Sequence, residues 1–391
     1  MLRSIPLEFW TKPHKVLEPC CGKGNFIIAI FDLFFNGLEI CIPNIKLRCE
    51  KIINYCIYYT DISPYNILIT TEILKRHVLS KNVTITGYNN GHTGDTLSCK
   101  INDIFGVDKF DAIVCNPPYQ SGKGSNGTLW DKFVIYALGI LKTSGYMLFI
   151  HPSGWRNISG KFKKLQKLLL SKNMLYLEIH GEKDGMRMFR CSTRYDWYLL
   201  QNDEVETMDT IVRFSDNTII KIDLKKEEFI PNSQYHMVKS LLALPHEETV
   251  DIMYSYKSLT KSSITQDGVF TLPIIYTISS KNVFRYLYIK EKDNLNTPEL
   301  NAMYGTPKLI WTNGSIKTVC SYIDYTGEYG LSCYAYAIVD DIDNLLSIQK
   351  VFDSVKFREL MDCCAVGQRH ISNRVIRGFR KNFWINFLDK P

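Results

Sequence analysis

"KVLEPCCGKGNFIIAIFDLFF", Lys15 to Phe35, carries the fold in a single stretch. "KVLEP" reads as a short buried strand and "CCGKGN" as a glycine turn. "FIIAIFDLFF" is apolar on every side, as a helix packed inside a sheet protein would be. The pattern then repeats. "NYCIYYTDI" predicts a second strand, and "SPYNILITTEILKRHVL" a helix with Ser63 as N-cap and Pro64 at its first position. "VTITGY", "FDAIVC", "GYMLFIH" and "MLYLEIH" read as later strands. "TLWDKFVIYALGILK" and "SGKFKKLQKLLLSK" read as helices between them, and "YDWYLLQ" and "TIVRF" close the sheet. Strands alternating with helices predict an α/β fold with a parallel, doubly wound sheet.

The 391 residues exceed what one core of ordinary size supports, so two domains are expected. After Gln201 the rhythm changes to short segments spaced by Asn, Asp, Gly and Pro, such as "FIPNSQYHM", "LIWTNGSIK" and "YIDYTGEYG". This places a first domain over 1–215 and a second, of mixed α+β character, over 230–391. Hydrophobic residues at 45% and charged residues at 22% exclude a disordered chain. The first residues lack a signal-peptide pattern, and no window reaches the roughly 18 apolar residues of a membrane span, so a soluble protein is expected. Twelve cysteines without a C-x-x-C suggest reduced thiols in the cytoplasm and no metal site.

Positive charge is uneven. Residues 1–202 hold 25 Lys and Arg against 16 Asp and Glu, whereas residues 203–391 hold 22 against 24. Pro152 to Leu177 carries Arg156, Lys161, Lys163, Lys164, Lys167 and Lys172 with no acid. Near the end Lys356, Arg358, Arg369, Arg374, Arg377, Arg380 and Lys381 face only Glu359 and Asp362. Two basic patches suit a polyanionic partner; a solvated helix face and a basic tail would look alike.

Ligands of open parallel sheets lie beyond the carboxyl ends of the strands. After the first strand, Gly22 and Gly24 let backbone approach a ligand, although the third glycine of G-x-G-x-x-G and the Lys-[Ser/Thr] of a P-loop are absent. After the second comes Asp61, an acid suited to ribose hydroxyls, and after the third Asp95, suited to an adenine amine. Each alone could be a turn residue.

The fourth strand ends in "CNPPYQ". Proline fixes its own φ and keeps the preceding residue extended, so Asn116-Pro117-Pro118 is stiff. The amide oxygen of Asn116 and the carbonyl of Pro117 become two acceptors with fixed directions. An amino group on an aromatic ring offers two hydrogens and a lone pair delocalised into the ring. Two neutral acceptors localise that pair and aim it at an electrophile, without the desolvation cost of a carboxylate. Tyr119 can stack on the face of an extruded base. These residues describe an exocyclic amine and a methyl on a cationic sulfur. The rival, a Cys115 thiolate attacking a pyrimidine carbon, is less suited to a cysteine at a buried strand end.

At this point "VLEPCCGKGNF", "YYTDISP", "GDTL", "FDAIVCNPPYQ", "DKFVIYALGILKTSGYMLFIHPSGWR" and "FRCSTRYDWYLL" resemble, in order, the motifs of gamma-class, TaqI-like DNA adenine-N6 methyltransferases of restriction-modification type. The resemblance covers about residues 5–201. It implies a Rossmann-like, seven-stranded methyltransferase sheet, with S-adenosylmethionine as methyl donor contacted by Glu18, Cys20, Gly22, Gly24, Asp61 and Asp95. It implies that Asn116 and the Pro117 carbonyl hold the target amine and that Tyr119 stacks on the flipped adenine. Phe189 would touch the base from another side, a task Met186, Met188 or Trp155 could also fill. The domain at 230–391 would recognise the target sequence in double-stranded DNA. Arg156, Lys161, Lys164, Arg374, Arg377 and Arg380 would meet the DNA backbone, and a separately encoded restriction endonuclease is the partner such a role implies. Two departures stand out. Only "SIPLEFWTK" precedes the glycine loop where the family has a donor-binding segment, and "GLEICIPNIKLRCEKI" reads as an inserted turn and helix before Asp61.

An RNA-base or protein-glutamine methyltransferase would use the same two-acceptor geometry. The protein-glutamine type is expected to carry its extra domain ahead of the catalytic one, whereas here the extra mass follows. A noncatalytic nucleic-acid-binding protein would not need Asn116 and Tyr119 intact, and no carboxylate-carboxylate-lysine cluster suggests a fused nuclease.

Overall fold

In the computed structural model β1 (Val16–Glu18) is buried throughout and lies parallel between β2 (Ile57–Asp61) and β4 (Phe110–Cys115). Strands covered on both faces read as apolar runs without alternation, as "VL" and "IYY" do before the polar residues Glu18, Thr60 and Asp61 at their carboxyl ends. The structure describes residues 1–120, 127–157, 160–255, 264–265, 272–278, 284–289, 303–366 and 371–388. The chain divides into two compact units, Met1–Phe229 and Ile230–Pro391.

The sheet of the first unit also contains β3 (Gly91–Thr93), β5 (Leu141–Pro152), β6 (Lys172–His180), β7 (Tyr195–Glu204), β8 (Thr210–Arg213) and β9 (Ile219–Ile222), in the order β3-β2-β1-β4-β5-β7-β6-β8-β9. β7 runs antiparallel between β5 and β6. The fold is the expected α/β fold, with nine strands in this sheet among the described residues in place of the seven expected. "TIVRF" does join the sheet, but as the first arm of a β8–β9 hairpin laid parallel on β6, and this hairpin carries the unit on past residue 215.

Helices α1 (Leu7–Trp10), α2 (Asn25–Gly37), α3 (Ile45–Lys51), α4 (Pro64–Leu79), α5 (Ile101–Phe105), α6 (Trp130–Ile140), α7 (Lys163–Leu170) and α8 (Glu182–Phe189) complete this unit. Ile27, Ile30, Phe31 and Phe34 of α2 are buried in a core with Trp10, Tyr59 and Val114. The inserted segment before Asp61 forms α3, capped by the Asn44 side chain accepting from the Leu47 amide at 3.0 Å, and then a π-helical turn over Ile52–Cys56. Buried Arg48 fastens it by donating to the carbonyls of Phe35, Ile42 and Pro43.

"VTITGY" forms no strand. Gly87 and Tyr88 have φ of 118° and 60°, and the Asn54 side chain donates to Thr86 O and accepts from the Tyr88 amide. With these groups satisfied by Asn54, the third strand begins later, at Gly91.

The second unit holds two four-stranded sheets. One is β10 (Ile252–Tyr254), β17 (Ala335–Ile338), β14 (Lys308–Thr312) and β15 (Ser321–Asp324), in that order. The other is β11 (Ile264–Thr265), β13 (Phe284–Ile289), β12 (Leu272–Ile278) and β16 (Gly330–Leu331). Helices α9 (Tyr235–Leu241), α10 (Ile342–Asp353), α11 (Val355–Cys364) and α12 (Asn373–Arg377) accompany them. Lys308, fully buried, reaches Asp324 at 2.8 Å, and Asp324 also accepts from the Glu328 and Tyr329 amides. Among the described residues no helix is long and apolar enough to cross a membrane.

Candidate active site

The strand order reverses between β1 and β4, so the crevice beyond their carboxyl ends is where such a sheet takes a ligand. Gly22 and Gly24 turn the chain there with φ of 52° and 80°, and a Cβ on Gly24 would press on the Thr70 side chain at 2.9 Å. Asp61 holds this loop in place. Its Oδ2 accepts from the Gly22 amide at 2.9 Å, and its Oδ1 accepts from the Ser63 amide at 2.9 Å and the Asn66 side chain at 3.0 Å. Thr60 and Thr96, which the sequence reading did not single out, add to the knit. Their hydroxyls lie 2.6 Å apart, and each can also donate to Pro19 O. Both are short polar side chains one position from Asp61 and Asp95, and that adjacency was the available signal.

Glu18 is 3% exposed and its Oε2 has no hydrogen-bond partner among the described residues. Burial, with Cys20 and Asp61 adding to it, pushes its carboxyl well above the usual range. A buried acid in this condition is stabilised by a cation or a hydrogen-bond donor. The structure thus gathers Glu18, Cys20, Gly22, Gly24 and Asp61 around one loop. Asp95 follows β3 but is exposed, and its oxygens accept from the Leu97 amide and the Ser98 hydroxyl of its own turn.

β4 ends at Cys115, which is fully buried, and burial raises its thiol above the ordinary value, an environment that disfavours a thiolate nucleophile. Asn116 emerges exposed, with no partner for its amide among the described residues, and Pro117 is buried. The Tyr119 ring meets the ring of Phe189, at the end of α8, edge to face with centroids 5.8 Å apart. Phe189 in turn meets Tyr195 at 4.9 Å, and Tyr195 stacks on His180 at 4.4 Å. The Tyr119 hydroxyl is buried without a hydrogen-bond partner among the described residues. Of the other base-contact candidates, Trp155 is fully buried with its Nε1 donating to Asp196 at 2.8 Å, while Met186 and Met188 are exposed.

Beneath this loop lies a polar network. Arg156 is fully buried and bonds Asp196 through Nε at 2.7 Å and Nη2 at 3.1 Å. The expectation that Arg156 meets a DNA phosphate is therefore corrected: its charge belongs to Asp196, on the adjacent strand of the sheet. Next to it His151 stacks on Trp130 at 4.3 Å and lies 3.1 Å from the Tyr198 hydroxyl.

The remaining predicted cations stand at the surface to different degrees. Lys161 and Lys164 are exposed, Lys161 donating to Thr128 at 2.8 Å. On the flank of α7, Lys163, Gln166 and Lys167 line a groove of about 340 Å³ together with Lys225 and Lys226, two cations missed because they lie far along the chain. In the second unit Arg374 and Arg377 are exposed on α12, whereas Arg380 is half-buried with Nε lacking a partner. Arg369 lies outside the described residues.

A comparison with curated protein sequences returned no match. Among solved structures, the type IIL restriction-modification enzyme MmeI in complex with DNA superposes with a TM-score of 0.54 at 10% identity, over 95% of this chain and 62% of that one. A nuclease-deletion mutant of the type ISP restriction-modification enzyme LlaGI, in complex with a DNA substrate mimic, gives 0.54 at 10% identity over 95% and 43%. The M protein of the type I restriction enzyme EcoKI gives 0.41 at 14% identity over 53% and 45%. The chain thus spans between 43% and 62% of the length of these proteins. Residues 55–184, from just before β2 into α8, match the family model described as Eco57I restriction-modification methylase.

Proposed function

We propose that this protein transfers a methyl group from S-adenosylmethionine to the N6 amine of an adenine flipped out of double-stranded DNA, as the modification enzyme of a restriction-modification system. The observation that carries the reading is the exposed Asn116 side chain just after β4, without a partner for its amide among the described residues, three positions before Tyr119, whose ring meets Phe189 edge to face. The restriction-modification match over residues 55–184 supports it.

S-adenosylmethionine, when bound, supplies a methyl on a cationic sulfur. Glu18 fits its cationic portion, since a buried carboxylate oxygen without a partner gains most from a positive charge, and the Gly22–Gly24 turn admits backbone approach. Asp61, Cys20 and Asp95 complete the donor set, Asp61 also ordering the loop. Asn116 and the Pro117 carbonyl accept the two N6 hydrogens, localise the lone pair and stabilise the positive charge that grows on nitrogen; the surplus proton leaves to water afterwards. Tyr119 stacks on the base, and Phe189 touches it from another side. The first unit, Met1–Phe229, which extends the expected 1–215 by the β8–β9 hairpin, holds the catalytic site, and residues 230–391 recognise the target sequence. Lys161, Lys164, Arg374, Arg377 and Arg380 meet phosphates, and cleavage is left to a separately encoded endonuclease.

The test is transfer of tritium from labelled S-adenosylmethionine to mixed-sequence duplex DNA, with RNA and a protein lysate in parallel, and mass spectrometry of the nucleosides. N6-methyladenine in DNA alone is expected. Label confined to RNA or protein would replace the substrate while keeping the Asn116 chemistry, and no label in any pool would overturn the enzyme.

A further inference from the structure

The eight residues of α8 present two different faces. Gly185 is buried, and a Cβ there would run into the carbonyl oxygen of Thr193, so the helix lies directly on the 191–193 backbone. Phe189, one turn on, shares that inward side and reaches Tyr119. At 100° per residue Met186 and Met188 fall on either flank of this side, and they are 50% and 61% exposed. Lys183, Arg187 and Arg190 are exposed as well. The acids of the helix are engaged locally. Glu182 accepts from Ser192 at 3.2 Å and faces Arg194 at 3.5 Å, and Asp184 accepts from the Gly181 amide at 3.2 Å. Arg187 pairs with Asp184 at 3.2 Å, but its side chain is 79% exposed, and a pair of that kind yields readily to a stronger anion.

We infer that the outer rim of α8 is a DNA-docking surface: Met186 and Met188 pack against the nucleotides flanking the extruded adenine, while Lys183, Arg187 and Arg190 take the phosphates beside them. This rests on the proposed function. Two observations select DNA as the occupant. Met188 is next in the chain to Phe189, the residue that touches Tyr119, and Met186 lies three positions before it on the same helix, so the surface is continuous with the base site. The cations around them are complementary to a phosphodiester strand. Unstacking a base leaves neighbouring base faces without cover, and unbranched apolar side chains are suited to covering them. Because Gly185 seats the helix on backbone, Phe189 and the methionines are held as one body, so flipping and base capture are coupled.

The test uses the full chain and a duplex carrying the methylated sequence mapped from product DNA, prepared with the target adenine either paired or mispaired. The double variant Met186→Ser, Met188→Ser is expected to lose about tenfold or more in transfer to the paired duplex and to stay within about threefold of wild type on the mispaired one, whose base is already loosened. Its donor affinity is expected to be unchanged. The triple variant Lys183→Ser, Arg187→Ser, Arg190→Ser is expected to reduce the slope of log affinity against log salt by about two to three. Wild-type rates from the double variant on the paired duplex, or equal losses on both duplexes, would sink the inference while leaving the methyltransferase reading intact. Failure of the wild-type protein itself to label DNA would sink both.

Discussion

The rings of Tyr119 and Phe189 stand edge to face, 72° apart in plane and 5.8 Å apart in centroid, although one follows β4 and the other ends α8. Stacking of a base on an aromatic side chain is worth about 1–3 kcal/mol. Tyr119→Ala is therefore expected to raise the KM for DNA roughly tenfold to a hundredfold, and Phe189→Ala to do so by less. Because the rings touch, their losses should not add in the double variant. Steady-state kinetics of the three variants, with 2-aminopurine fluorescence at the target position, checks this; additive losses would separate the two rings.

Asn116→Ala removes one of two acceptors without touching the glycine loop. Transfer should fall by about a hundredfold or more, the cost of losing one preorganised polar partner of a transition state, while donor binding measured by calorimetry stays within about twofold. Retained turnover would remove Asn116 from the chemistry.

Burial, with Cys20 and Asp61 adding to it, raises the Glu18 carboxyl well above its usual range, which favours the protonated form. A cationic donor arriving beside it reverses that preference, so binding of S-adenosylmethionine at neutral pH should release a proton. Calorimetry in buffers of different ionisation enthalpy measures the release, and Glu18→Gln should abolish it. A buffer-independent enthalpy for the wild type would show that Glu18 is not the acid facing the cation.

Arg156 and the surface lysines make opposite predictions. Arg156→Ala leaves Asp196 charged and buried, a change that typically costs about 3–5 kcal/mol, so the unfolding midpoint should drop sharply. Lys161→Ser with Lys164→Ser should leave the midpoint unchanged and lower the salt slope of DNA binding by about two. Thermal melts and salt titrations of the two variants distinguish the roles, and a stable Arg156→Ala protein with a reduced slope would return that residue to the interface.

His151 sets a pH window for stability. Burial pushes its pKa down to about 4, against the opposing pull of the Pro152 carbonyl and of Asp196 and Asp131. The unfolded chain takes up this proton near 6.5, whereas the folded protein refuses it until about pH 4. Stability from this source is full above 6.5, falls as pH drops toward 4 and is level below, a loss of roughly 3 kcal/mol at most. Urea unfolding between pH 4.5 and 7 should show the slope, and His151→Gln should flatten that part of it.

Much of the first unit was legible because its buried strands are short apolar runs ending in turn residues. "FDAIVC" matches β4 residue for residue, and Ser63-Pro64 starts α4 as N-cap and first position. What failed to read was set by contacts distant in sequence. Asn54 diverts residues 86–88 from the ladder, and nothing within "VTITGY" announces it. Arg156 looked like a member of a basic patch, since its partner Asp196 lies on another strand. The β8–β9 hairpin was half visible, because β9, "IIKI", is too short to carry a period. At the site, the glycine loop and the NPPY loop declared themselves by composition. The threonine knit beneath them did not, since a threonine beside an aspartate is common in any turn.

That hairpin also decides which edge the sheet offers to solvent. Without it the outermost strand would be β6, nine residues long and fit to pair with another chain's backbone. β8 covers that edge and leaves β9 outermost, four residues long, with Lys221 on it paired to Asp209 at 2.8 Å. A short, charged border is a poor template for strand addition, so the hairpin acts as a guard against self-association while the opposite, ligand-facing end of the strands stays free of any such duty.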